Sequence, residues 1–102
     1  MKITKRMKTA LDFLGEPYKV KTIDFEQCLY RDLNNGYDIE VSGVNRQRRG
    51  LICTFIQVWD MRGGARTVEM VEGVKTLLEL NAVLDLLSEK YGDRKVDQKY
   101  ED

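Results

Sequence analysis

The chain contains no histidine, so the side chain most used as acid, base or metal ligand near neutral pH is missing. A Ser/His/Asp or Cys/His nucleophilic arrangement is thereby excluded. Two cysteines, Cys28 and Cys53, form no C-x-x-C pair and have no histidine to complete a zinc site. Both are expected as small buried thiols in strands, without a redox role. Pro17 is the single proline, so little breaks helices or strands by that route. No apolar run is long enough to cross a bilayer, and the N-terminus lacks the apolar centre of a signal peptide. Cytoplasm is the expected location, and neither a cofactor nor a metal is expected.

Net charge is absent as well, but the zero is a balance of unlike halves. Residues 1–66 hold twelve Lys/Arg against eight Asp/Glu, and residues 67–102 hold five against nine. Such a separated dipole steers a partner to one face without general attraction to polyanions. A protein that coats nucleic acid is usually basic throughout. What is present most visibly is Asn45-Arg46-Gln47-Arg48-Arg49-Gly50, directly before the apolar stretch Leu51 to Met61. Arginine offers a planar fork of donors that suits phosphate or carboxylate.

At 102 residues with 42% hydrophobic and 33% charged side chains, the chain reads as one domain over 1–92 with a charged tail over 93–102. Met7, Ala10, Leu11 and Leu14 recur at helical spacing, Thr4 can cap their helix, and Gly15 with Pro17 ends it. Its first turn carries Lys5, Arg6 and Lys8, the wrong sign for the helix dipole. From Tyr18 the period becomes two, with Lys19 and Lys21 marking an edge strand. Cys28–Leu33, Asn35-Gly36 and Tyr37–Val44 predict a hairpin. A two-residue turn would set Arg31 against Glu40 and Tyr30 against Val41.

Leu51 to Met61 reads as one continuous central strand, Arg62–Arg66 as a turn, and Thr67–Glu72 as a return strand. Thr76-Leu77-Leu78-Glu79 is a capping box. It opens a helix striped by Leu77, Leu80, Leu84, Leu87 and Tyr91, widened by Leu78 and Val83 and ended by Gly92. The expectation is an α+β domain: an antiparallel meander of four or five strands, with both helices on one face.

Meander topology puts Arg46, Arg48 and Arg49 at one end of the sheet. Arg62 and Arg66 fall at the other, beside Asn35-Gly36. These five arginines are the candidate residues for contact with a protein partner or nucleic acid. Arg62-Gly63-Gly64 lacks the spacing and following helix of a phosphate-cradling loop. Tyr30, Tyr37, Phe55 and Trp59 would suit base stacking on an open sheet, but are expected in the core. Asp24, Glu26, Asp38, Glu40 and Asp60 form no carboxylate pair that would indicate hydrolysis, so no enzyme activity is expected.

Taken whole, with its opening Met1-Lys2-Ile3-Thr4-Lys5-Arg6, its helix–meander–helix layout and its lack of catalytic groups, the chain resembles the small type II-A anti-CRISPR proteins. These are inhibitors of RNA-guided nucleases encoded on phages and mobile elements. The resemblance implies a non-enzymatic protein that binds a type II CRISPR nuclease or its guide-RNA complex. Many of that class imitate phosphate with acidic faces. This chain departs from that pattern, since only Glu69, Glu72, Glu79, Asp85 and Glu89 would form such a face. Interference with guide-RNA loading suits its mixed charge better. A small RNA- or DNA-binding accessory protein of a mobile element is the alternative.

Overall fold

Helix α1 spans Lys5–Leu14 in the computed structural model, which describes residues 2–92. The expected tail over 93–102 lies outside the described residues. Thr4 caps α1 as expected, its hydroxyl accepting from the Met7 N–H, and the Gly15 N–H donates to the Leu11 carbonyl at the other end. The strands follow as β1 (Lys19–Ile23), β2 (Glu26–Asp32), β3 (Tyr37–Ser42), β4 (Gln47–Arg48), β5 (Leu51–Ile52), β6 (Thr54–Asp60) and β7 (Arg66–Val74). Helix α2 then runs Leu77–Gly92.

The main sheet is a five-stranded antiparallel meander in the order β1-β2-β3-β6-β7, while β4 and β5 form a separate small hairpin. Helices at both ends of the chain and an antiparallel sheet make this an α+β fold, as the pattern predicted. Met7 and Ala10 of α1 join Leu80, Leu84, Leu87 and Tyr91 of α2 over one sheet face, against Leu29, Ile39, Val41, Ile56 and Val58. Thr76 accepts from the Glu79 N–H (3.1 Å), and Glu79 reaches back to the Lys75 N–H (3.2 Å). Leu78 is exposed and lies outside the apolar stripe that it was expected to widen.

The β2–β3 register differs from the expected one by a single residue. Leu29 faces Val41, Tyr30 faces Glu40 and Arg31 faces Ile39. The Leu33 N–H donates to the Tyr37 carbonyl (2.9 Å), so the loop holds three residues, with Asn34 and Gly36 at positive φ. The reason is burial. This register puts Leu29 and Leu33 on the same face as Tyr37, Ile39 and Val41. Leu29 moved wholly out of water is worth about 1.5–3 kcal/mol, with a further part from the partly buried Leu33, and an exposed Arg–Glu pair about 0.2–1. Arg31 is carried to the helix side, where it donates to Ser88 Oγ (2.9 Å) and lies 5.6 Å from the Tyr18 ring.

The stretch Leu51 to Met61 is broken rather than continuous. Leu51 and Ile52 turn back to pair with Arg48 and Gln47, and Cys53 sits exposed at the break. The buried-thiol expectation therefore holds for Cys28 alone, whose thiol is pushed up to about 11 chiefly by burial. Along β6 the residues Thr54, Ile56, Val58 and Asp60 are buried, while Phe55, Gln57 and Trp59 point to the other face. Of the four aromatics expected in the core only Tyr37 is there; Tyr30, Phe55 and Trp59 lie half-buried on the face away from the helices. Alternation assigns them, since the inward positions hold Leu29 and Arg31 on β2 and Thr54, Ile56, Val58 and Asp60 on β6.

Gly43 ends β3 at φ +82, and a Cβ there would stand 2.0 Å from the Cys53 carbonyl oxygen. Gly50 has nearly the same φ, +78, with nothing within 4 Å. Gly50→Ala should therefore cost only the left-handed conformation, roughly 1–2 kcal/mol. Gly43→Ala adds a backbone clash and should remove a large part of a stability of about 5–15 kcal/mol. Urea midpoints of the two variants measure the difference; equal midpoints would show the close approach to be absent.

Candidate functional site

The arginine segment is not an open loop. Arg49 (φ 55) and Gly50 (φ 78) form a two-residue turn with both φ positive, which closes β4 on β5. This hairpin is closed at its base and fastened from two sides. The Ile52 N–H donates to the Lys75 carbonyl (3.0 Å), and the Cys53 N–H to the Arg46 carbonyl (3.2 Å). From α1, the Arg6 guanidinium donates to the Asn45 carbonyl (2.9 Å) and to Gln47 Oε1 (2.7 Å). Thr4 Oγ1 donates to Asn45 Oδ1 (2.6 Å). The cation placed against the α1 dipole thus serves to hold the hairpin.

Arg46, Arg48 and Arg49 then part company. Arg46 pairs with Glu26 at 2.8 Å. Arg48 and Arg49 are exposed at the tip and, among the described residues, join no ion pair. Hollows of about 370 and 400 Å³ lie beside the hairpin. Arg48, Arg49 and Lys75 line the first; Lys5 and Arg6 line the second over an apolar floor of Val44, Ile52 and Leu77. Leu77 opens α2 and Lys5 opens α1, so both helices start at this end and add the positive ends of their dipoles to it.

Phe25 is a residue that the sequence reading missed. It is wholly exposed at the apex of the β1–β2 hairpin with φ +67, following Asp24 at φ +51. Phe25 and Arg46 line one shallow hollow. A two-residue turn of this kind favours Asn-Gly. A phenylalanine kept there in solvent is what protein-binding surfaces present. The signal available in the sequence was Asp24-Phe25 as the only link between two alternating segments.

Arg62 and Arg66 lie at the opposite end, as the topology predicted, and the five arginines do not form one surface. Arg62 donates through Nε to Asp60 Oδ1 (3.1 Å) and through Nη2 to the Tyr37 hydroxyl (2.8 Å). Its guanidinium covers the Tyr37 ring at 4.7 Å. Its stem lies so close to Gly36 that a Cβ there would stand 2.3 Å from Arg62 Cγ. Arg66 reaches Asp60 Oδ2 at 3.7 Å. Nearby, Asn35 Nδ2 donates to the Tyr91 carbonyl (2.8 Å), and the Tyr37 and Tyr91 rings are 5.1 Å apart. This end fastens two turns to the close of α2.

The acids of the C-terminal half divide similarly. Glu69 accepts from Lys90 (2.7 Å) and from the Tyr91 hydroxyl (2.6 Å), and Glu79 belongs to the α2 start. Asp85 and Glu89 remain exposed on α2, and Glu72 is exposed on β7. Among the described residues no group of three or more Cys, Asp or Glu side chains is placed to hold a metal, and no helix is long and apolar enough to cross a membrane. No protein-family description, no curated protein and no solved structure matches the chain.

Hydrogen bonds from the Arg62 side chain and backbone hold the Asp60 carboxyl down at about 2. A carboxyl depressed in the folded state stabilises above its unfolded value near 3.9 and loses that contribution as pH falls through its folded value. The stability difference between the native chain and Asp60→Asn should therefore be full above about pH 5 and shrink toward pH 2. Urea titrations across that range test this; a constant difference would show that the carboxylate charge plays no part.

Proposed function

We propose that the chain is a small non-enzymatic inhibitor that binds a type II RNA-guided nuclease, or blocks its assembly with guide RNA, through the end bearing Phe25, Arg48 and Arg49. One observation carries this reading. At a single end stand an exposed phenylalanine, two arginines outside any described ion pair and an apolar-floored hollow, the arginines on a hairpin held by α1 and the α2 start. Rigid presentation of an aromatic and arginines is how protein interfaces concentrate affinity. The channel of such a nuclease is itself basic. A basic end would not enter it, and fits guide RNA or an acidic patch of the protein instead. The resemblance to type II-A anti-CRISPR proteins supplies the nuclease class and a cytoplasmic site of action.

The alternative, an RNA- or DNA-binding accessory protein, draws on the same arginines and on the two helix starts. The apolar floor of Val44, Ile52 and Leu77 favours a protein surface over a bare phosphate backbone. Pull-down of the tagged protein with a panel of type II nucleases, with and without guide RNA, followed by a cleavage assay, tests the proposal. Arg48→Glu with Arg49→Glu should weaken capture at least about tenfold and restore cleavage. Failure of the native chain to bind or inhibit any nuclease in the panel would overturn the reading. Free oligonucleotide should bind weakly and lose affinity steeply with salt. Tight, salt-resistant binding would favour the accessory protein.

Phe25→Gly separates binding from folding. Glycine relieves the positive φ and should raise stability by roughly 1 kcal/mol, while capture of the nuclease falls. Calorimetric melting alongside the pull-down measures both. Unchanged capture would remove Phe25 from the interface.

A further inference from the structure

The sheet face turned away from the helices has a hollow of about 180 Å³, lined by Lys21, Tyr30, Asp38, Glu40, Trp59 and Met61 among others. That is about six times the ~30 Å³ share of a water in the liquid and smaller than the ~300–1,000 Å³ of ordinary ligand pockets. Its size suits the head of one side chain. Its walls are aromatic and acidic. Tyr30 donates to Asp38 Oδ2 at 2.5 Å, which fixes the ring. The Lys21 ammonium lies 4.5 Å from the Tyr30 ring centroid, so the chain already sets a cation against this wall.

One carboxylate in the hollow is left without an ion-pair partner. Glu40 is half-buried and, among the described residues, joins no ion pair. Its burial raises its pKa, an effect the Trp59 N–H and the Lys21 charge only partly oppose. A half-buried carboxylate between two aromatic rings is complemented by a cation, with its charge on the carboxylate and its face on the rings.

We propose that this hollow receives one lysine or arginine side chain from a basic protein surface, held against the Tyr30 and Trp59 rings, neutralised by Glu40 and displacing Lys21. The site is independent of the arginine end, and its partner has the opposite charge.

Trp59 is the only tryptophan, so its fluorescence and its indole N–H resonance report on the hollow directly. The probe is a capped nonapeptide of alternating Gly and Arg, with a Gly/Glu peptide as control. The Gly/Arg peptide should shift both signals saturably, and the Gly/Glu peptide neither. Glu40→Gln should weaken the binding at least about tenfold. Lys21→Ala should tighten it about threefold or more, because the internal competitor is gone. Arg48→Glu with Arg49→Glu should leave the Trp59 response within about twofold of native, so failure of the arginine end and failure of this site are distinguishable. The indole resonance of the native chain needs no variant. Its indifference to the Gly/Arg peptide, an equal response in folded Glu40→Gln, or weaker binding by Lys21→Ala would each overturn the proposal.

Discussion

The closure of β2 on β3 over Asn34, Asn35 and Gly36 sorts the side chains of the sheet into a dry face and a wet one. Side chains alternate along a strand, so a one-residue slip would exchange the faces of β2 against β3. The loop is held to its length by contacts beyond the hairpin. Asn35 accepts from the Tyr37 N–H and donates to the end of α2, while the Gly36 carbonyl accepts from the Met61 N–H. Leu29, Ile39 and Val41 therefore meet the helices, and Tyr30, Asp38 and Glu40 meet solvent. Arg31 is the cost of that arrangement. Its Nε is buried without a partner, and its position beside Ser88, in the last turns of α2, is one where the helix dipole favours a cation.

The two arginine groups show how the same residue serves opposite ends. Arg62 is engaged by its own chain, with a carboxylate and a phenol accepting from it and a ring against one face. Such a guanidinium is a fastener between turns and has little left to offer a partner. Arg48, the last residue of β4, and Arg49, in the turn after it, lie at the tip of a hairpin whose base is tied to both helix starts. Their geometry is fixed up to the backbone and open beyond it. That combination holds the ordering cost of binding to a few side chains.

Much of the fold was legible because periodicity and capping agreed. The Thr4 and Thr76 caps, the leucine stripe of α2, the lysine-marked edge strand and the order of the meander all stand in the structure. Three features were hidden for separable reasons. The β2–β3 register depended on tertiary burial, against which a surface charge pair is a weak guide. The break at Cys53 was masked because a hydrophobic run has the same composition whether it continues or turns. The outward aromatics could be assigned only once the inward positions of β6 were known. At the candidate site, the separation of the arginines into two ends followed from topology. The tie between Arg6 and Asn45, over 39 residues, leaves no trace in local pattern, and Phe25 carried no motif.

Because α1 and α2 begin at the same end, their peptide dipoles add where antiparallel neighbours would cancel. Each places roughly half a positive charge at the arginine hairpin and half a negative charge at the other pole. An uncharged body with such a polarity experiences little net pull from a distant ion, but it experiences a torque. Within the ~8 Å that physiological salt leaves unscreened, an anionic surface turns the molecule arginine end first, and a cationic one turns it about. Orientation is thus selected in the encounter itself, before any side chain touches.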